Sequence, residues 1–276
     1  MYERIREGSC TVITVITPWR NEEFLAPLFL KHYDFADQII ILLDESTDDG
    51  TIDKIQYSGA NTIISVKKLE MPAGFDSYLS KKQIDEQYSR IKNGWVILVD
   101  ADEFIKIPEM GMREYLSNVE AGVIEIMFWQ IYQHKTENRL NDYTPVFEQR
   151  KHGIRTRREI WNKPCIVRAG KGYEWDVGHH NIHPYINIHN EFLPGSHWAM
   201  ADVDLTIIRR ILGHVDRQSE ADIRAGIDLI TSEEEIINIC NEYKDCPVAV
   251  WEGINGTCSQ EEEDYYQLMK KKGLLV

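Results

Sequence analysis

Asp100, Asp102 and Glu103 lie within four residues, in the segment WVILVDADEF spanning residues 95–104. Two carboxylates separated only by Ala101 can converge on one point if the backbone is extended, because alternate side chains share a face. Hard oxygen donors in that arrangement form half a site for Mg²⁺ or Mn²⁺, which complete their shell with water and substrate phosphates. The apolar run before them suits a buried parallel strand, and open α/β sheets bind ligands just beyond such strand ends. Taken alone, an Asp-x-Asp pair is more often a solvated strand end. Its position is what gives it weight.

Histidine is the second residue type with chemistry to offer. Five of the nine histidines, His179, His180, His183, His189 and His197, fall within about twenty residues. A neutral imidazole can complete a Mn²⁺ shell. His180 is the first candidate for that third ligand and His179 the second. A separate zinc site serving a hydrolase is the competing reading, although no pair has metal-ligand spacing on a regular element.

The elements that must position these groups are legible upstream. Thr11 to Thr17 is β-branched and reads as a buried strand that Pro18 ends. Asn21 then caps a helix whose stripe is Leu25, Leu28, Phe29, His32 and Phe35, with Pro27 tolerable only in its first turn. Gln38 to Leu43 is a second strand, and the acceptor-rich turn Asp44 to Thr51 follows. Thr51 or Asp53 opens a short helix, Thr62 to Val66 is a third strand, and Tyr78 to Lys92 is helical. This alternation predicts an α/β fold with a Rossmann-like, mostly parallel central sheet flanked by helices. Val123 to Trp129 and Pro164 to Arg168 add strands, and helical patterns dominate from Asp202 onward, with Ile207, Ile208, Ile211 and Leu212 as an apolar face.

Bulk composition narrows the function. The 276 residues carry a net charge of −14, with 43% hydrophobic and 28% charged residues. That charge opposes nucleic acid or an anionic membrane as a partner. No apolar run reaches the roughly 18 residues of a membrane span, and MYERIREGSC lacks the core of a signal peptide. Five cysteines without ligand spacing fit a reducing compartment. The expectation is a cytoplasmic protein, with peripheral contact at the inner face of the membrane compatible with it. Neither repeats nor a low-complexity linker divide the chain, so one domain over 1–276 is expected.

The segments VITPWRNEEFLAPLFLKHYDFADQIIILLDESTDDGT (within residues 12–51) and WVILVDADEFI (95–105) together resemble the family 2 glycosyltransferases, which have the glycosyltransferase-A fold. The Asp-Glu-Phe ending, Lys163-Pro164 and Gly178-His179-His180 resemble a subgroup of that superfamily. The resemblance implies a nucleotide-sugar half at 1–105, an acceptor and metal-completing half at 106–200 and a helical extension at 201–276. It implies a nucleoside diphosphate sugar donor, with a UDP-sugar the first candidate, and Mn²⁺ or Mg²⁺ as cofactor. Thr17, Pro18, Asn21, Glu22 and Asp44 would line the nucleoside pocket, with Asp100, Ala101, Lys82 and Lys163 completing the donor site. Asp100 and Asp102 would hold the metal, with His180 or His179.

Transfer leaves a nucleoside diphosphate whose growing charge needs a cation. Besides Lys163 and Lys82, Lys81 and the cluster Arg150, Lys151, Arg155, Arg157 and Arg158 are candidates. An inverting reaction needs a carboxylate to deprotonate the acceptor, and Asp176, then Glu174, are the candidates. Trp129, Trp161, Tyr173, Trp175 and Trp198 could stack on sugar faces. His214, Arg217 and Ser219 resemble a late segment of the subgroup that closes over the donor. The acceptor, whether glycan, lipid-linked or protein, leaves no short signature. A nucleotidyltransferase also uses strand-end carboxylates, but it normally carries a Gly-rich basic loop where this chain has Pro18-Trp19-Arg20-Asn21-Glu22. A non-catalytic nucleotide- or carbohydrate-binding protein on a transferase scaffold is the third reading.

Overall fold

The structure is a computed structural model that describes residues 11–72, 74–150, 152–154, 162–209 and 232–244. Three apolar stretches build its centre: β1 (Ile13–Trp19), β2 (Gln38–Asp44) and β4 (Trp95–Leu98). β1 pairs in parallel with β2 on one side and β4 on the other. β3 (Ile63–Leu69) closes that edge in parallel with β2. Being an edge, it tolerates Lys67 and Lys68 and leaves Ile63 68% exposed.

The remaining strands extend the sheet past β4. β8 (Asn162–Arg168) runs antiparallel to both β4 and β6 (Val123–Tyr132). β6 is parallel to β11 (Leu193–Met200), and β5 (Glu103–Ile105) lies antiparallel along β11. The resulting order is β3-β2-β1-β4-β8-β6-β11-β5, with β7 (Gly153–Ile154) attached to β6. Six strands run one way and β5, β7 and β8 the other. This is the expected Rossmann-like α/β sheet, mostly parallel and flanked by helices.

Unbroken apolar strands follow from burial on both faces. Val15, Ile39, Ile41, Trp95 and Ile97 join a core covered by α1 (Leu25–His32), α2 (Thr51–Gln56) and α4 (Met112–Asn118). Their neighbours Ile16, Ile40, Leu42, Val96 and Leu98 point the other way, onto Ile84 and Tyr88 of α3 (Ser77–Arg90). Trp175 of β9 (Glu174–Trp175), which pairs with β10 (Ile182–His183), completes that second core. Asp76 caps α3 by accepting from Leu79 N at 2.8 Å.

Two boundary expectations fail for physical reasons. Pro18 does not end β1, which continues to Trp19. β4 pairs with β1 only as far as Ile16, so the last turn of β1 has a ladder on one side and can hold a residue without a donor. Asn21 does not cap α1. The residue preceding that helix is Phe24, which has no capping side-chain bond, and Asn21 adopts a left-handed backbone with φ 52°. Pro27 does fall in the first turn.

Candidate active site

The Asp-x-Asp segment is a turn, not the end of an extended strand. β4 stops at Leu98, Ala101 and Asp102 turn, and Glu103 N donates to Asp100 O at 3.0 Å. The chain then reverses into β5. Alternation along a strand therefore does not align the two aspartates. Each is held by a cation of its own.

Lys163 holds the first. It stands near the start of β8, beside the end of β4, because the two strands are antiparallel. Its Nζ lies 3.1 Å from Asp100 Oδ2 and also contacts Glu103 Oε1. Glu103 bends back so that its other oxygen accepts from Asp100 N at 3.0 Å. Burial pushes the Glu103 carboxyl up despite Lys163. Burial acts the same way on Asp100, but Lys163 and His179 outweigh it and hold that carboxyl below its usual range. The Asp100 side chain is 37% exposed and reachable.

Arg209 holds the second. Its Nη1 donates to Asp102 Oδ2 at 2.7 Å, while Nε and Nη2 reach the two oxygens of Glu22 at 3.1 and 2.8 Å. His197 Nε2 stands 3.6 Å from the same Asp102 oxygen, and its Nδ1 is 2.8 Å from Gln130 Oε1. Asp102 is buried, yet Arg209 and His197 keep its carboxyl well below normal. Glu22 behaves oppositely: burial lifts it to about 7, against the pull of Arg209. Four carboxylates (Glu22, Asp100, Asp102, Glu103) thus surround two permanent cations, an excess of negative charge suited to a divalent ion.

The acidic turn after β2 forms the adjoining wall. Asp44 is buried, and its Oδ1 accepts from Ser46 N at 2.8 Å and Ser46 Oγ at 2.6 Å. Asn21 is tied across to Asp48 by two bonds of 2.8 and 3.0 Å. Arg20 Nε donates to Ser46 Oγ at 3.0 Å. Thr17 is fully buried and accepts from the Trp19 indole at 2.8 Å. Ala101 is buried beside the two aspartates. The loops after β1 and β2 are thereby locked to one another.

The histidine cluster divides. His179 takes a left-handed backbone (φ 62°), and its Nε2 is buried without a hydrogen-bond partner. Burial lowers its pKa to about 4, against the opposing effect of Asp100. A neutral imidazole with an uncommitted nitrogen close to Asp100 is what a third metal ligand requires. His180 follows it, half-buried. His183 Nε2 pairs with Asp176 Oδ1 at 2.9 Å, and His197 belongs to Asp102. Among the described residues no three His, Cys, Asp or Glu side chains converge as a preformed metal cluster.

Glu174, Asp176 and Lys82 share a groove of about 1100 Å³ between α3 and residues 170–177. Asp176 accepts from Asn181 and His183 of its own loop, and Lys81 is paired with Asp85 at 2.5 Å. Arg150 is buried, donating to Ala201 O at 2.7 Å. Trp129, Tyr173, Trp175 and Trp198 are core side chains. Lys151, Arg155, Arg157, Arg158, Trp161, Ile211, Leu212, His214, Arg217 and Ser219 lie outside the described residues. Glu103, Arg209 and His197 are the functional neighbours that motif reading did not assign to the aspartates. Glu103 carried a local signal in its place in the motif and His197 one in the histidine cluster, whereas Arg209 carried none.

No protein-family model and no curated protein matches the chain. Solved structures do overlap it in part. HddC from Yersinia pseudotuberculosis is 10% identical, with 58% of this chain and 74% of that one covered, at a TM-score of 0.29. Glucosyl-3-phosphoglycerate synthase from Mycobacterium tuberculosis, solved with Mg²⁺ and uridine diphosphate, is 15% identical, with 44% of each chain covered, at 0.29. A Bacillus anthracis protein assigned as a glucose-1-phosphate thymidylyltransferase, in complex with a sucrose, is 12% identical, with 58% and 69% covered, at 0.30. This chain spans under half of the synthase. Such distant overlaps carry no function across, and the reading below stands on this chain's own residues.

Proposed function

We propose that the protein is a metal-dependent glycosyltransferase that moves a sugar from a nucleoside diphosphate sugar, a UDP-sugar, to a hydroxyl acceptor with inversion. The observation that carries this is the over-acidic cluster at the end of β4, where Asp100 is reachable and the His179 nitrogen is uncommitted. Asp100 and Asp102 would hold Mn²⁺ or Mg²⁺, with His179 or His180 as the further ligand. When bound, that ion would offset charge on the departing diphosphate.

The chain's own residues supply the rest. Asp44, ordered by Ser46, presents an acceptor to a base N–H, while Thr17, Pro18, Asn21 and Glu22 shape the nucleoside wall. Ala101 leaves room between the aspartates. Lys163 fixes Asp100 through their 3.1 Å contact, and Lys82, which lines the α3 groove, is the second cation for the phosphates. Asp176, with Glu174 second, is the proposed base for the acceptor. No helix among the described residues is long and apolar enough to cross a membrane. We assign the whole chain to one domain working in the cytoplasm, where nucleotide sugars are made available.

Thermal unfolding with UDP, with and without Mn²⁺, tests the reading. Ligand at a hundred times its dissociation constant adds about 2.7 kcal/mol of stability. Stabilisation should require the metal and should vanish in Asp102→Asn. Stabilisation by nucleoside triphosphates instead of UDP would favour nucleotidyl transfer, and none by any nucleotide would sink the donor site.

A further inference from the structure

The groove beside α3 has the shape of a track. Tyr78, Lys82, Asp85, Ser89 and Lys92 line it at alternating intervals of four and three residues, so that wall is one face of the helix. Tyr78 to Ser89 alone covers roughly 16 Å of helix at about 1.5 Å per residue. The opposite wall is the chain between Gly170 and Val177. Gly170 and Gly172 bring no side chains to it, and a Cβ at Gly172 would meet nothing within 4 Å. The end remote from Asp100 is therefore open. The enclosed volume, about 1100 Å³, is just above the usual range of small-ligand pockets. One sugar ring would leave most of it empty.

The other end meets the aspartate cluster. Val177 lines the groove there, and His179, two residues on, stands within electrostatic reach of both Asp100 and Lys81. Glu174 and Asp176, the proposed acceptor bases, belong to the same stretch of wall. Lys82, on the facing helix, is the cation proposed for the donor phosphates. A ligand laid along α3 thus brings one end to the base and to the departing diphosphate together.

Charge narrows the occupant. Several groove side chains are already committed: Lys81 to Asp85 at 2.5 Å, Asp176 to Asn181 and His183, and Lys92 to Ser89 O. The side chains of Lys82, Glu86 and Glu174 carry no hydrogen bond or ion pair among the described residues. Those three set opposite signs beside one another, so a ligand charged one way throughout meets repulsion somewhere along the track. Hydroxyl groups meet none, since they donate to Glu86 and Glu174 and accept from Lys82. Tyr78 is 60% exposed and adds an apolar ring face for C–H groups.

We propose that the α3 groove is the acceptor site and takes a linear, uncharged oligosaccharide of several units. This rests on the transferase reading and adds to it the place and chemical class of the acceptor. The reacting hydroxyl lies at Glu174 and Asp176, and the rest of the saccharide runs along α3 past Ser89. The hydroxyl proton passes to the carboxylate as its oxygen bonds to the anomeric carbon. The nucleoside diphosphate leaves with the electrons of the broken C–O bond.

Isothermal titration calorimetry on the full chain tests it, with glucose and its linear oligomers up to the hexamer, α- and β-linked, as neutral probes. Oligogalacturonate and chitosan oligomers are the charged probes, and a neutral octapeptide is the polypeptide control. UDP with Mg²⁺ is titrated in parallel. At least one neutral series should bind, tightening by roughly tenfold or more from monomer to tetramer. Ser89→Trp, at an exposed position, fills the far half of the groove and should abolish that gain. Glu86→Arg should weaken the tetramer by a similar factor. UDP binding should be unchanged in both. Preference for a charged oligomer or the peptide, affinity that does not rise with length, a length dependence that survives both substitutions, or no saccharide binding while UDP binds would overturn the groove assignment and leave the donor site standing. The same saccharide binding in a protein that ignores UDP and Mg²⁺ would instead overturn the transferase reading, and the acceptor role with it.

Discussion

Arg209 Nη1 lies 2.7 Å from Asp102 Oδ2, although 107 positions separate the two residues in the chain. The same guanidinium grips both oxygens of Glu22, so one side chain neutralises two buried carboxylates from different loops. Removing it strands them both. Arg209→Met should cost about 3–5 kcal/mol, the usual penalty for leaving a buried charge without its partner. Mn²⁺ should recover part of that loss, because one of the two vacated carboxylates, Asp102, is a proposed metal ligand. Urea unfolding with and without Mn²⁺ measures both. A variant as stable as the parent would mean that Arg209 is a surface contact only.

Lys163 makes the complementary prediction on the other aspartate. Its Nζ is shared between Asp100 and Glu103, and Glu103 is fully interior. Lys163→Met should destabilise by about 3–5 kcal/mol. Adding Glu103→Leu to that variant removes the carboxylate left without a cation and should restore much of the loss, since an apolar pair can replace a buried ionic one. Chemical denaturation of the two variants decides it. If the second substitution deepened the loss, Lys163 would be acting through packing and not through charge.

What was legible in advance and what was not divide along physical lines. β1, β2 and β4 announce themselves because strands buried on both faces need unbroken apolar runs, and Val15 and Ile16 show each face taking alternate residues. The aspartate pair was visible for the same reason: it follows such a run. Its true geometry was hidden, because the turn at Ala101 and Asp102 is made by pairing of Glu103–Ile105 with β11, about ninety residues away. Asn21 looked like a cap, since nothing local discloses the bonds to Asp48 that draw it into a left-handed conformation. Arg209 was beyond local reading altogether. It sits in a helical pattern, and only the fold carries it to Asp102.

Gly195 gives a steric prediction for the strand that presents His197. A Cβ built there would stand 2.7 Å from both Ile126 Cγ2 and Phe128 Cε1 on the neighbouring strand β6. Both atoms belong to buried side chains with little room to retreat. Gly195→Ala should therefore destabilise by about 1–3 kcal/mol through overpacking, despite the better strand propensity of alanine. Because His197 is two residues along the same strand, UDP binding should fall as well. Comparing unfolding midpoints and UDP affinity checks both effects. A stabilised variant would show that β6 and β11 are less tightly joined than this spacing implies.

His32 supplies a pH dependence that can be isolated from the site. Its Nε2 is 2.9 Å from Ile105 O, just beyond the aspartate turn, so the neutral ring carries its proton on Nε2 and donates. Burial lowers its pKa from the ordinary 6.5 to about 4, the backbone bond opposing the shift. Between those values the unfolded chain binds more protons than the folded one, so stability rises with pH across the window. The contribution is fully present above about pH 6.5 and is lost as pH falls towards about 4. His179 titrates with the same sign and Glu22 with the opposite one, so the total slope does not identify His32. The difference between the parent and His32→Gln does. That difference should shrink steadily from pH 7 to pH 4 in urea titrations, roughly over the interval set by the two protonation midpoints. A gap that stayed constant with pH would mean that the ring charges as freely in the folded protein as in the unfolded chain.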